Sequence, residues 1–178
     1  MEPLALALAN TLTMERGQVD DLLPPGQVAS WLWSQRVRVA VAGDAAEPVL
    51  SLRSSVRELL SAAAAGNPPA TGALDAVNAA SAGVPEAVQL DWPGAGSRRT
   101  WSASTPAEPT ATVLAILARS VIDLLTGPDS DRIRACSAPG CPRFLIARPA
   151  GRLWCSGSTC GNRVRVARHA AARRAGGA

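Results

Sequence analysis

The chain has 178 residues, of which 47% are hydrophobic and 18% are charged, a composition typical of a globular protein with a buried core. This length fits one ordinary domain followed by a small module. No apolar run is expected to reach the roughly 18 to 20 residues that cross a bilayer, and Met1-Glu2-Pro3-Leu4 lacks the basic residues that begin a signal peptide, so the sequence predicts a cytoplasmic protein outside the membrane.

The net charge of +4 is unevenly distributed. Residues 131–178 contain ten arginines and one acidic residue, whereas residues 1–130 contain eight arginines and thirteen acidic residues. A basic end on an acidic body is typical of proteins that bind a polyanion. The chain has no lysine and is rich in alanine, which indicates a GC-rich bacterial genome.

Hydrophobic periodicity predicts a mainly helical first part. Alternating leucine and alanine open the chain, and their intrinsic propensity favours a helix over a strand. Pro24-Pro25-Gly26 interrupts this segment, and Gly66-Asn67-Pro68-Pro69 ends a later helix. Thr71 is the predicted cap of the helix that follows. Helices are predicted over residues 1–16, 27–36, 47–65, 71–81 and 110–125.

A β-hairpin is predicted between the last two of these helices. Residues 87–92 alternate apolar and polar side chains, Pro93–Gly96 supplies a turn, and residues 99–104 form a second strand. The tryptophans outside the basic end are expected to pack in the core or within this hairpin; they are Trp31, Trp33, Trp92 and Trp101. Acidic residues near the first turns, Glu15, Asp20 and Asp21, are expected to be solvated.

Gly127-Pro128-Asp129-Ser130 ends the last helix and marks a domain boundary. The predicted fold class is α+β. An α-rich domain with one hairpin, residues 1–128, precedes a small four-cysteine module, residues 129–178. The first domain is expected to fold on its own.

The only cysteines form two matched pairs in this module, Cys136-x4-Cys141 and Cys155-x4-Cys160, separated by thirteen residues. Four thiolates at this spacing fit one tetrahedral Zn²⁺. Two disulfides, four unrelated thiols and an iron site are the alternatives. A closed four-sulfur shell leaves no open position for catalysis, and His169, the single histidine, has no nucleophile motif to serve; an enzyme is therefore not expected.

Short elements are predicted around the cysteines. Residues 132–135 should form a strand, Gly140 should take a positive φ, and Arg148–Gly151 should turn the chain. Phe144, Leu145 and Ile146 should form the module's own apolar patch with Trp154. Ser158 or Thr159 should cap the final helix, residues 160–174.

At 100° per residue, the final helix has two faces. The apolar arc, expected to face the cysteines, contains Cys160, Val164, Val166, Ala167, Ala170 and Ala171. Arg163 falls within this arc, so it is expected to bind backbone carbonyls or an acidic residue near the metal. Arg165 and Arg168 fall opposite and can reach phosphates. Further candidate phosphate contacts are Arg173, Arg174, Arg148 and Arg152.

Trp154-Cys155-Ser156 followed by Cys160-Gly161-Asn162-Arg163 resembles the signature of the CGNR-type zinc fingers, over about residues 132–174. Trp154, Gly161, Asn162 and Arg163 are its structural motif residues. Shorter motifs in the first part resemble the ABATE domain that usually precedes this finger; they are Ala9-Asn10-Thr11-Leu12, Leu22-Leu23, Pro25 and Trp31-Leu32. The family pattern has an acidic residue after the aromatic that follows the second cysteine, and Phe144–Pro149 has none.

Proteins of this architecture are described as stress-induced transcription regulators. The resemblance therefore implies a transcription regulator with DNA as its partner. Together with the composition and the four cysteines, it predicts a bacterial protein with one Zn²⁺ per chain, whose first domain is a candidate sensor, scaffold or dimerisation unit, so that a homodimer is a possible assembly. Two other functions remain open: a zinc-stabilised protein-interaction module and a thiol-based redox sensor whose oxidation expels zinc.

Overall fold

A computed structural model describes residues 2–15, 18–147, 151 and 153–175. Its helices and strands, in chain order, are α1 (Leu4–Ala9), β1 (Leu12–Glu15), β2 (Gln18–Asp21), α2 (Val28–Ser34), α3 (Ala46–Ala65), α4 (Thr71–Ala82), β3 (Glu86–Asp91), β4 (Arg98–Ala103), α5 (Pro109–Thr126), β5 (Ile133–Ala135), β6 (Phe144–Ile146) and α6 (Asn162–Ala175). The α+β class predicted from the sequence is confirmed.

The helices α1, α3, α4 and α5 pack together around one hydrophobic core. Apolar side chains recur every three or four residues along α3 and α5, so that each helix turns one stripe inward. Val49, Val56 and Leu60 of α3 and Leu117 of α5 are fully buried. Gly66 ends α3 in the left-handed conformation, with φ 68°, which glycine adopts without strain.

The strands form three separate antiparallel pairs among the described residues, β1 with β2, β3 with β4 and β5 with β6. The second pair is the predicted hairpin, in which Val88 lies opposite Trp101. The first pair was not predicted. The helix expected over residues 1–16 ends at Ala9, where Thr11 Oγ1 donates to Leu8 O at 2.8 Å and the chain turns into β1.

Two further expectations need correction. Thr71 is the first residue of α4 rather than its cap, and no side chain caps this helix. Trp33, Trp92 and Trp101 are 59%, 64% and 60% exposed, so they are not core residues, although Trp101 does lie in the hairpin, opposite Val88. Trp31 alone of the four is partly buried and packs against the core.

A partly buried polar cluster joins the start of the chain to α3. Arg53 donates to both carboxylate oxygens of Asp21 at 2.7 Å and to Thr11 Oγ1 at 3.0 Å. The hydrogen bonds from Arg53 lower the pKa of Asp21. Asp21 is therefore a structural partner of α3, not a freely solvated acid.

The expectation that no apolar segment reaches membrane-spanning length needs correction: α5 is long and apolar enough to cross a membrane, by length and composition only. Its neighbours α1, α3 and α4 cover it, and Val113, Leu117 and Val121 are fully buried. Core helices of water-soluble domains have the same properties, so α5 is here interpreted as a core helix.

The third strand pair, β5 with β6, belongs to the core of the preceding helices. Ile133 is fully buried and Phe144 is 4% exposed, and both contact the same cluster as α1, α3 and α5. Of the three residues expected to form a separate patch, only Leu145 packs near the cysteines, whereas Phe144 and Ile146 face the helices. Because successive strand residues point to opposite faces, β6 divides its side chains between two clusters.

Side chains from the helical part also bind the backbone at β6. Asn10 Oδ1 accepts a hydrogen bond from Phe144 N at 2.8 Å, and Asn10 Nδ2 donates to Phe144 O at 3.1 Å. Arg57 of α3 donates to Pro142 O at 2.8 Å and to Ala9 O, and its guanidinium lies 5.2 Å from the centre of the Phe144 ring. These contacts fix the start of the four-cysteine module on the helices.

Candidate metal centre

The four cysteines come from two short knuckles that the backbone holds together. Residues 136–141, the first knuckle, lie between β5 and β6, and residues 155–160, the second knuckle, precede α6. Cys136 N donates to Arg143 O at 2.9 Å, and Ser137 N donates to Leu153 O at 2.9 Å. The Cys136–Arg143 bond closes the first knuckle. The Ser137–Leu153 bond joins the first knuckle to the segment that leads into the second knuckle.

The sulfur atoms are spaced as a tetrahedral metal shell requires. All four Sγ atoms lie within 4.8 Å of one another. Cys141 Sγ is 3.8 Å from Cys155 Sγ and 3.7 Å from Cys160 Sγ, and the last two are 3.5 Å apart. Zinc–sulfur bonds of about 2.3 Å in a tetrahedron separate the sulfurs by about 3.8 Å. Disulfide sulfurs lie about 2.05 Å apart, so this arrangement fits one Zn²⁺ and not two disulfides.

Burial disfavours the thiolate form of two of the four cysteines. Desolvation raises the pKa of Cys141 to about 11 and raises that of Cys155 further. Burial acts in the same direction on Cys136, but hydrogen bonds from the backbone of Cys155 and Ala138 outweigh it and lower the pKa of Cys136. Zinc binds thiolates, and its charge supplies the stabilisation that water would give to exposed sulfur.

The second knuckle closes with one π turn, Gly157–Gly161, directly before α6. Ser156 Oγ accepts a hydrogen bond from Thr159 N at 3.2 Å, so Ser156 is the cap, and the prediction of Ser158 or Thr159 is wrong. The helix accordingly starts at Asn162, which is exposed, and not at Cys160. Ser156 precedes Thr159 by three residues, a spacing that allows this hydroxyl-to-backbone bond.

Two glycines permit close approaches in the finger. A Cβ on Gly161 would lie 3.2 Å from Cε3 of Trp154, so the indole packs directly on this backbone. Gly140 has φ 73°, as predicted, and a Cβ there would lie 2.7 Å from Cε of Met14 in β1. Gly161 therefore seats Trp154 beside the cysteines, and Gly140 lets the first hairpin contact the first knuckle.

Arg163 connects α6 to the first knuckle. Its Nη2 donates to Pro139 O at 3.2 Å, and its side chain is partly buried. The sequence interpretation, a bond from Arg163 to a backbone carbonyl near the metal, agrees with this contact. No acidic partner is needed, which fits the missing acid after Phe144.

Arg163→Ala is expected to destabilise the chain by about 1 kcal/mol, because one hydrogen bond from a charged, partly exposed donor is lost. The melting temperature should fall by about 2–4 °C, and zinc should be lost at lower chelator concentrations. Arg168→Ala removes an exposed arginine from the same helix and is the matched control. Equal melting temperatures for the two variants would contradict the role of Arg163.

The remaining arginines of α6 are exposed; they are Arg165, Arg168, Arg173 and Arg174. Arg165 Nη2 also donates to Gly157 O at 3.3 Å, which orients it along the second knuckle. Arg148 and Arg152 lie outside the described residues. Val166 is 60% exposed, and Ala167 and Ala171 are exposed as well, so the apolar arc that packs beside the cysteines is narrower than predicted and contains Val164.

The sequence interpretation missed the residues that attach the finger to the helices, above all Arg57 and the contact from Asn10 to β6. Arg57 follows Arg53 by four residues on α3, which places both on one helix face. A pair of arginines beside a buried stripe could have indicated a polar contact. Its partner, a backbone carbonyl 85 residues away, has no sequence pattern.

Comparison with known families matches two models along the chain. The ABATE model, described as "Putative stress-induced transcription regulator", matches residues 2–128. The model described as "CGNR zinc finger" matches residues 132–174, which include all four cysteines. No curated protein matches the sequence.

Proposed function

The chain belongs to the ABATE family and carries a CGNR zinc finger, and we propose that it is a cytoplasmic transcription regulator that binds DNA through α6. One family description names a transcription regulator and the other names a zinc finger; neither names an enzyme. The four cysteine sulfurs would hold one Zn²⁺, whose role would be to build the finger.

The observation that carries this proposal is the charge of α6. Its sequence, NRVRVARHAAARRA, contains five arginines and no acidic residue. Arg163 is committed to the first knuckle, while Arg165, Arg168 and Arg173 fall on one exposed arc at 100° per residue. Arginines on one face of a short helix can contact successive phosphates of a duplex. Arg174 lies on the opposite side and can contribute only at the helix end.

In this proposal, the role of zinc is to position α6. A Zn²⁺ held by the four cysteines would fix Cys160, the residue two positions before α6, and the Pro139 contact of Arg163 fixes the first turn of the helix. Both anchors hold the helix against the two knuckles while its arginine face remains open. A preorganised helix loses less conformational entropy on binding than a disordered basic tail would.

Binding to duplex DNA is expected to depend steeply on salt. If about five phosphates are neutralised, affinity should fall by roughly 10² to 10³ between about 50 and 200 mM salt. Fluorescence anisotropy with a labelled duplex at several salt concentrations measures the slope. Absent or salt-insensitive binding would favour a protein-interaction module instead.

The variant Arg165→Gln with Arg168→Gln should reduce the salt slope by about two contacts while zinc stays bound. Arg36→Gln with Arg38→Gln makes the same charge change at exposed positions of the body and is the matched control. A loss of affinity that is equal for both pairs would show a diffuse charge effect and would contradict binding through α6.

A further inference from the structure

The hairpin β3–β4 presents an apolar face that no described residue covers. Strand alternation places Val88 and Leu90 on one side of β3, with Trp92 directly after the strand. Trp101 lies opposite Val88, and Arg99 lies opposite Leu90. The four apolar side chains are 55% (Val88), 75% (Leu90), 64% (Trp92) and 60% (Trp101) exposed.

The other side of the hairpin has a different character. Gln89 and Asp91 alternate with the apolar residues of β3. On β4, Thr100 lies opposite Gln89, and Ser102 lies two residues further along on the same side. Asp91, Thr100 and Ser102 are partly buried, whereas every residue of the apolar side is exposed. The polar side thus carries its own contacts, such as the Arg98–Asp91 ion pair at 2.6 Å, whereas the large apolar side chains of the other side face outward.

A hairpin of this kind needs a partner. Two-stranded sheets are marginally stable in water unless more strands or a helix cover their apolar face. The hairpin is tied to the helices at its base, where Glu86 pairs with Arg119 at 2.7 Å and Ser104 N donates to Pro85 O at 2.9 Å. Two tryptophans, a leucine and a valine side by side in water mark an interaction surface.

The size of the face fits a pair of identical chains. A tryptophan side chain can bury about 150–250 Å² of surface. With the exposed fractions given above, the four apolar side chains together expose on the order of 500 Å² in one copy. Two such faces together bury on the order of 1,000 Å², the lower limit for a specific protein interface.

We propose that this face binds the same face of a second copy of the chain, giving a two-fold symmetric dimer. When two hairpins stack face to face with their strands antiparallel, the row Leu90–Arg99 of one copy lies over the row Val88–Trp101 of the other. Leu90 then covers Val88, and the guanidinium of Arg99 faces the Trp101 indole of the second copy. An arginine over a tryptophan ring is a favourable cation–π pair.

The free charge on the face fits this arrangement. Arg98 is neutralised by Asp91 on the polar side, at 2.6 Å, but Arg99 makes no ion pair with any residue in the described part of the chain. The two-fold axis repeats the contact between Arg99 of one copy and Trp101 of the other, so each of the two Arg99 guanidinium groups has an aromatic partner. The dimer does not depend on DNA binding; if the proposed function holds, it places two fingers in one particle that can read two half-sites.

Sedimentation equilibrium of the full chain with zinc and without DNA tests the dimer. The wild-type mass should rise with concentration toward twice 18.3 kDa. Leu90→Ser and Trp101→Ser should each raise the dissociation constant at least about 30-fold, as loss of a central interface residue does. Arg99→Gln should raise it about 2- to 5-fold.

Trp33→Ser is the matched control, since Trp33 of α2 is 59% exposed and lies outside the hairpin. It should leave the dissociation constant unchanged. Far-UV circular dichroism of each variant at monomeric dilution should equal that of the wild type, since none of these side chains is buried.

Three results would overturn the proposal. First, the wild type stays at the monomer mass even at a protein concentration about 100 times a micromolar dissociation constant. Second, Trp33→Ser weakens the dimer as much as Trp101→Ser. Third, the monomeric wild type sediments with phosphatidylglycerol vesicles while Trp101→Ser does not. The last result would assign the face to a lipid surface.

Discussion

Cys155→Ser is expected to abolish zinc binding and to unfold the chain from the second knuckle through α6. Structural zinc contributes about 10 to 16 kcal/mol in finger peptides, as much as the whole stability of a typical domain. The second knuckle has little else to hold it, because the apolar cluster beside the cysteines is small: Ala138, Leu145, Trp154 and Val164. Loss of one sulfur opens the shell that positions α6.

The measurement has two parts. Metal analysis of reduced protein should give one zinc per wild-type chain and none in Cys155→Ser. Far-UV circular dichroism should show the loss of the 14 residues of α6, while the helices of the body remain. DNA affinity should fall together with the metal, since a disordered α6 no longer presents its arginines as one face.

Cys155→His is the rescue control, because imidazole is also a zinc ligand and three cysteines with one histidine form a common structural site. Partial recovery of zinc and of α6 helicity is expected. Reduced wild-type protein without zinc or iron would contradict the metal centre, and retention of α6 in Cys155→Ser would show that the metal does not build the finger.

The sequence alone was sufficient for the metal ligands. Two cysteine pairs at equal spacing are a chemical pattern that depends on local geometry, and the four sulfurs lie where one Zn²⁺ needs them. Long periodic helices were also predictable: α3 and α5 start and end within one residue of the predicted bounds. In both cases the determining residues lie close together in sequence.

Features that depend on distant contacts were not predictable. Leu4 to Ala9 has the pattern of a helix, but Asn10 leaves the helix to bind the backbone of Phe144, 134 residues away. Trp101 and Trp33 have side chains typical of a core, yet they are 60% and 59% exposed, and over Trp33 lies the Arg38 guanidinium, 4.1 Å from the ring centre, rather than a core side chain. Neither outcome has a local signal, because each depends on where other segments pack.

The boundary of the finger shows the same limit. Gly127-Pro128 reads as a linker, and the two family models meet there. In the fold, however, Ile133 and Phe144 from beyond this boundary fill the core of the helices. The apolar run of Phe144 to Ile146 predicts a separate core for the finger. In the fold, alternate residues of β6 point to opposite sides, so that Phe144 and Ile146 pack against the helices and Leu145 packs beside the cysteines.

A fragment of residues 2–128 is therefore expected to melt without cooperativity, or at least about 10 °C below the full chain. Truncation removes Ile133 and Phe144, and loss of a single large buried side chain costs about 2–5 kcal/mol. It also removes the Phe144 backbone that pairs with Asn10 and the Pro142 carbonyl that pairs with Arg57. The losses together approach the stability of a typical domain.

A fragment of residues 2–147 separates the shared core from the zinc. It keeps β5, β6 and the contacts of Asn10 and Arg57 but lacks two of the four sulfurs, so it cannot form the closed shell. Under reducing conditions it should regain a cooperative melting transition that residues 2–128 lack. Within it, Asn10→Ala should lower the melting temperature again, because the buried N–H and C=O of Phe144 lose their partner. If residues 2–128 melt as cooperatively as residues 2–147, the helices form an independent domain and the finger only rests on them.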